Sequence, residues 1–216
     1  MDAVIDELPL YWDGFLTTLS LTLLAAAIAL VLGTILGSFR VAPVPTLRWF
    51  GTAYVEIVRN TPLTLVFIFF VFVAPQLGWT PGGFFAPAVV ALSVYTAAFV
   101  CEAVRSGINS VAVGQGEAAR AIGLTFPQTL RLIVLPQAFR TVIPPLINIF
   151  IALTKNSSVA GGFFVAELFG VGRQLSNAHP GDVIAVLLFV GVFYLIITIP
   201  AGLLAGYVER KVAFAR

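Results

Sequence analysis

Five polar groups stand out in an otherwise apolar chain. Glu56 with Arg59, and Glu102 with Arg105, are E-x-x-R pairs. One helical turn apart, a carboxylate and a guanidinium neutralise each other, which is at least as good an account of them as a gate. Lys155, Asn156, Ser157 and Ser158 follow a wholly apolar run. They would either hydrogen-bond a polar solute inside the membrane or form a hydrophilic loop outside it. Arg140 lies between Pro136 and the pair Pro144 and Pro145, where it would line a cavity or snorkel to the surface. Glu117 belongs to the stretch GEAARAIGLTFPQTLRLIVLP, residues 116–136, the least lipid-like in the chain.

None of this is an enzyme's constellation. A nucleophile needs a base, and the one histidine, His179, falls in a polar segment. One histidine and one cysteine, Cys101, leave no metal-ligand cluster and no intrachain disulfide. No GxxxxGK[ST] phosphate loop occurs, so any ATP hydrolysis belongs to another chain. The segment GQGEAA fits the dinucleotide pattern GxGxxA by accident, since no strand precedes it.

The elements that must position these residues are membrane spans. A mean hydropathy of +1.02, with 59% hydrophobic and 10% charged residues over 216 positions, exceeds what a water-soluble core can hide. A net charge of +2 without any basic run excludes a nucleic-acid partner. The amino-terminal MDAVIDELPLYWDG carries no Lys or Arg, so it lacks the basic region of a cleaved signal. Runs of roughly 20 apolar residues predict an all-α integral membrane protein of five transmembrane helices near 15–38, 53–75, 84–104, 137–155 and 183–208. The second includes Glu56, Arg59 and Pro62 and uses its charged turn as its end. The fourth, with its prolines, is expected to be a broken helix. Gly33/Gly37 and Gly202/Gly206 are spaced for close helix approach.

Lys and Arg in alternate connecting segments number eight on one side and two on the other, which places the N-terminus outside and the C-terminus in the cytoplasm. Tyr11, Trp12, Trp49, Phe50, Trp79 and Tyr207 cluster at the span ends, where amphipathic rings prefer to lie. The cytoplasmic loop 105–131 then contains a small helix expected to start at Glu117 and to stop at Gly123. Ala118, Ala121 and Ile122 share one face of it, and Ala119 and Gly123 are small at a four-residue spacing. Such a patch must fold back on the spans or dock on another protein.

Glu117, Ala118 and Ala119, then Gly123 after three residues, then Ile133, Leu135 and Pro136 after nine, resemble the EAA motif of permease subunits in ATP-binding-cassette importers. CEAVRSGINSVAVGQGEAARAIG from 101, VEIVRNTPL from 55, LPQAFR from 135 and LTKNSS from 153 resemble its polar amino-acid branch, glutamate/glutamine/histidine-type. The resemblance covers nearly the whole chain. It implies a type I importer permease in a bacterial inner membrane, one transmembrane domain over 1–216, whose residues Glu117, Ala118, Ala119 and Gly123 couple to a cytoplasmic ATPase. It implies a second permease subunit, identical or homologous, and an external solute-binding protein. No cofactor is bound by this chain, with ATP and Mg on the partner ATPase. The segment 155–158 resembles the region where the family's path meets substrate. Its second position, often acidic, is Asn156 here, which argues against a cationic amino acid and for an acidic or amide one, glutamate first. An ion-coupled secondary carrier would show an ionisable residue near the membrane centre and a repeated half. Neither is present in the sequence. A permease for another small polar solute is the remaining alternative.

Overall fold

A computed structural model describes residues 5–213, all helical or connecting. Helix α1 runs from Leu8 to Val41, entered through Pro9 and ended where Ala42 turns extended ahead of Pro43. α2 spans Pro45–Arg59. α3, Leu63–Ile68, continues through a π-turn, Phe69–Val73, and a 3-10 turn, Ala74–Leu77, stopped by Gly78 at φ +92°. α4 covers Phe85–Asn109. The short helices α5, Val113–Ala121, and α6, Phe126–Thr129, follow. A π-turn at Leu130–Val134 leads into α7, Leu135–Asn156. α8, Ser158–Gly161, α9, Leu168–Ala178, and α10, Val183–Ala213, complete the chain.

Among the described residues, four helical stretches are long and apolar enough to cross a bilayer, namely Leu8–Val41, Phe85–Asn109, Phe126–Gly161 and Pro180–Lys211. The pair Pro45–Arg59 and Leu63–Leu77 makes a fifth if it counts as one span bent by 102°. The expected break in the fourth span is therefore misplaced. α7 passes through Pro144 and Pro145 without interruption, because proline's fixed φ is helical and its cost is a missing hydrogen bond and local crowding, which need not end the helix. The break falls in the second span, at Asn60, Thr61 and Pro62, where the residue ahead of a proline is pushed out of the helical region.

Within the bilayer the buried faces are chosen by size. α1 buries Gly14, Thr18, Ala25, Ala29, Gly33 and Gly37, together with Tyr11, Leu21, Thr22 and Leu36, and leaves Leu23, Ile28 and Val31 exposed. A Cβ on Gly33 would come within 2.5 Å of Val100 Cβ, and one on Gly37 within 2.9 Å of Val104 Cγ1. The first glycine pair is thus the contact between α1 and α4. Around it pack Leu36, Val55, Ala98 and Cys101, and Ala29, Ala97 and Val100; farther along α1, Leu21, Ala25, Phe67, Val71, Leu92 and Leu153 form one core, and Tyr11, Leu168, Val171, Leu175, Val186 and Val190 form another. A Cβ at Gly202 or Gly206 would meet nothing within 4 Å, so that pair packs against no described part of this chain.

Candidate functional site

The helix of the motif segment starts four residues earlier than its sequence suggests. α5 already includes Val113, Gly114 and Gly116, so Glu117 sits in its middle and not at its positive end. Its stop is as expected. Gly123 takes φ +85°, its N–H donates to the Arg120 carbonyl at 3.0 Å, and the Leu124 N–H reaches back to the Ala119 carbonyl at 3.0 Å. This double closure needs a left-handed residue at Gly123. Thr125 then starts α6 with a reciprocal cap, its own N–H donating to Gln128 Oε1 at 2.8 Å. Ala119 is the one buried residue of α5. Ala118 and Ala121 are exposed, and Val113, Ile122 and Phe126 are 77, 78 and 77% exposed. The tightly built turn thus displays apolar side chains that no described part of this chain covers.

At the neighbouring end of α4, Glu102 and Arg105 do pair, at 3.2 Å. Glu102 also receives Arg40 from the end of α1, a partner that local spacing does not reveal. Arg40 is almost wholly buried, its stem lying against Gly51 of α2. One carboxylate therefore joins α1 to α4. Glu56 and Arg59 are not an ion pair. Glu56 accepts from Asn60 Nδ2 at 3.3 Å, while the Arg59 guanidinium lies over the Phe99 ring, 5.4 Å from its centroid. The exposed ends of both side chains gain little by meeting, and the aromatic face offers the cation an alternative.

The segment 155–158 is not a loop. Lys155 and Asn156 complete α7, and Ser157 leads directly into α8. Lys155 is exposed. Asn156 lines a groove between α7 and α4 with Tyr95, Thr96, Phe99, Ile149 and Leu153. Ser157 is fully buried and donates to the Thr154 carbonyl at 2.7 Å, so its hydroxyl is spent on the backbone. Ser158 donates to the Lys155 carbonyl at 2.7 Å. Arg140 is exposed, and 16 positions of one helix put it about 24 Å from Asn156. The two do not belong to one contact site.

A residue the sequence reading passed over is the most densely bonded carboxylate among the described residues. Glu167 is fully buried. Its Oε2 accepts from Tyr194 Oη at 2.6 Å, from the Phe169 N–H at 3.1 Å and from Thr18 Oγ1 at 3.4 Å, and its Oε1 accepts from the Gly170 N–H at 2.7 Å. Burial pushes its carboxyl above the usual range, and the donors from Tyr194, Phe169, Gly170 and Thr18 pull it back. An acid ahead of the glycine-spaced LFGVG is the signal of a helix cap that could have found it. Among the described residues no group of three or more His, Cys, Asp or Glu could hold a metal ion.

Fold and site together describe a multi-pass helical transport permease. Residues 29–214 match the family described as binding-protein-dependent transport system inner membrane component. The chain is 43% identical over 206 residues to a probable glutamine ABC transporter permease of Bacillus subtilis, covering 95% of this chain and 94% of that one. It is 42% identical over 217 residues to a glutamate transport system permease of Corynebacterium efficiens, covering 95% and 93%. A crystal structure of an amino acid ABC transporter with histidines superposes with a TM-score of 0.89 at 27% identity, over 96% of both chains. The MetNI methionine ABC transporter shares the fold at 0.73 and 23%, over 94% of both. The chain belongs to this family of inner-membrane transport components. Within it, the chain is a permease subunit of the ABC importers for polar amino acids, a transport protein and not an enzyme.

Proposed function

We propose that the chain forms the translocation path for an acidic or amide amino acid, glutamate first, with aspartate or glutamine next. The observation that carries this reading is the groove at Asn156. Its lining contains no carboxylate, and the charged group stacked on one of its walls, Phe99, is the cation Arg59. A groove so charged favours an anionic side chain over a cationic one. The relatives named for glutamate and glutamine transport support the same class.

In this reading the bent pair α2 and α3 is one span, which makes five, with the N-terminus outside and the C-terminus in the cytoplasm. Glu117, Ala118, Ala119 and Gly123 seat the α5 turn on a separate ATPase that binds ATP and Mg. A second permease subunit and an external binding protein complete the importer.

The test is uptake into liposomes at saturating binding protein. At about 4 Å and an effective dielectric near 20, an added charge interacts by roughly 4 kcal/mol before desolvation offsets it. A quarter of that is a several-fold effect. Asn156→Asp is therefore expected to slow glutamate several-fold more than glutamine, and Lys155→Gln to act in the same direction. Equal fractional losses for the two substrates would make the segment structural.

A further inference from the structure

We propose that Glu167 is a positioning residue for transport, its carboxylate holding the turn 157–161, and with it Asn156, against the first and last spans. A helix cap alone does not account for this group. Ser, Asn or Asp would satisfy the N–H groups of Phe169 and Gly170 with less apolar burial of a long acidic side chain. Glu167 is instead buried without a cation in ion-pair reach among the described residues. Its remaining acceptor capacity is used on two other elements. Tyr194 reaches it from α10 at 2.6 Å, and Thr18 from α1 at 3.4 Å. The Thr18 hydroxyl shares its single proton between Glu167 and the closer Gly14 carbonyl, 2.9 Å away, and accepts the Leu168 N–H at 3.1 Å.

A steric route connects this node to the path segment. A Cβ on Gly161 would run into Glu167 Oε1 and the Gly170 N–H, so the end of α8 rests directly on the carboxylate. A Cβ on Gly170 would likewise strike the Val165 carbonyl. Neither Glu167 nor Tyr194 lines the groove. They act on it through the backbone between 157 and 161.

The inference rests on the reading of 155–158 as path, and its test separates the two. The complete transporter is reconstituted with Cys101→Ala, and Asn156→Cys reports position through its rate of reaction with a small thiol reagent. Loss of one hydrogen bond to a charged group is large enough to shift a local equilibrium about tenfold. Glu167→Gln puts an amide donor among donors, and Tyr194→Phe removes one bond while keeping the ring. Each is expected to change the labelling rate at position 156 by about that factor, with Ser110→Cys unaffected. In the Asn156 background each is expected to lower maximal uptake per assembled complex while leaving the half-saturating binding-protein concentration unchanged. If Glu167→Gln fails to assemble, Tyr194→Phe decides alone. Unchanged labelling and unchanged uptake per complex would reduce Glu167 to a helix cap and overturn the proposal. Changed labelling and uptake, with no protection of Asn156→Cys by substrate, would leave the positioning role standing and remove the path reading.

Discussion

Glu102 carries two guanidinium groups, and they are not equivalent. The Arg40 side chain is 9% exposed and that of Arg105 is 37%, so the bond to Arg40 is the one that water cannot replace. Glu102→Gln would strand a nearly buried cation. Breaking a fully buried pair costs about 3–5 kcal/mol, and the partial exposure of Glu102 reduces that to about 2 kcal/mol. The expected result is a lower thermal unfolding midpoint of the detergent-solubilised protein. Arg40→Met combined with Glu102→Leu should recover most of the loss, because the pair can be removed together at little cost. A double variant as unstable as Glu102→Gln would mean that the contact is not the source of the effect.

At the level of elements, α5 is a short helix whose stop is better defined than its start. Gly123 lies at φ +85° with open space where a Cβ would point. A bulky residue there meets no neighbour but is strained by about 1–2 kcal/mol from the left-handed backbone alone. Gly123→Val is thus expected to unwind the turn without disturbing the spans. ATP-driven uptake should be lost while the amount of protein in the membrane is retained. Reversing the charge of the exposed Glu117 with Lys should have the same outcome through contact with the ATPase and not through the fold. Normal uptake with normal ATPase co-purification in both variants would exclude this turn as the coupling element.

Across the whole molecule, α4 separates two faces. Its 25 residues span about 37 Å, with the α5 turn following Asn109 and the aromatic pair Phe84 and Phe164, 4.9 Å between centroids, near Phe85. In the proposed topology the α5 side, with its excess of Lys and Arg, faces the cytoplasm. In a Cys101→Ala background, Ser110→Cys should therefore react with a membrane-impermeant thiol reagent only after the cytoplasmic side is opened. Asp6→Cys should react in intact cells. Labelling of Ser110→Cys from outside would reverse the assignment.

The sequence by itself determined the class of the protein and its motif turn, because both are written in contiguous residues. Long apolar runs imply spans wherever they occur, and Glu117 to Gly123 carries its own helix stop. Tertiary structure decided which faces meet and which charges pair. In lipid the buried and exposed faces of a span are equally apolar, so hydrophobic periodicity does not mark the buried side of α1, and only the fit of Gly33 and Gly37 against α4 selects it. Each of the two carboxylates takes one partner from far along the chain. Arg40 is 62 residues from Glu102, and Thr18 is 149 from Glu167. Each is locally an ordinary residue at a helix end or on an apolar face, and it acquires a role only when packing removes the water that would otherwise have solvated it.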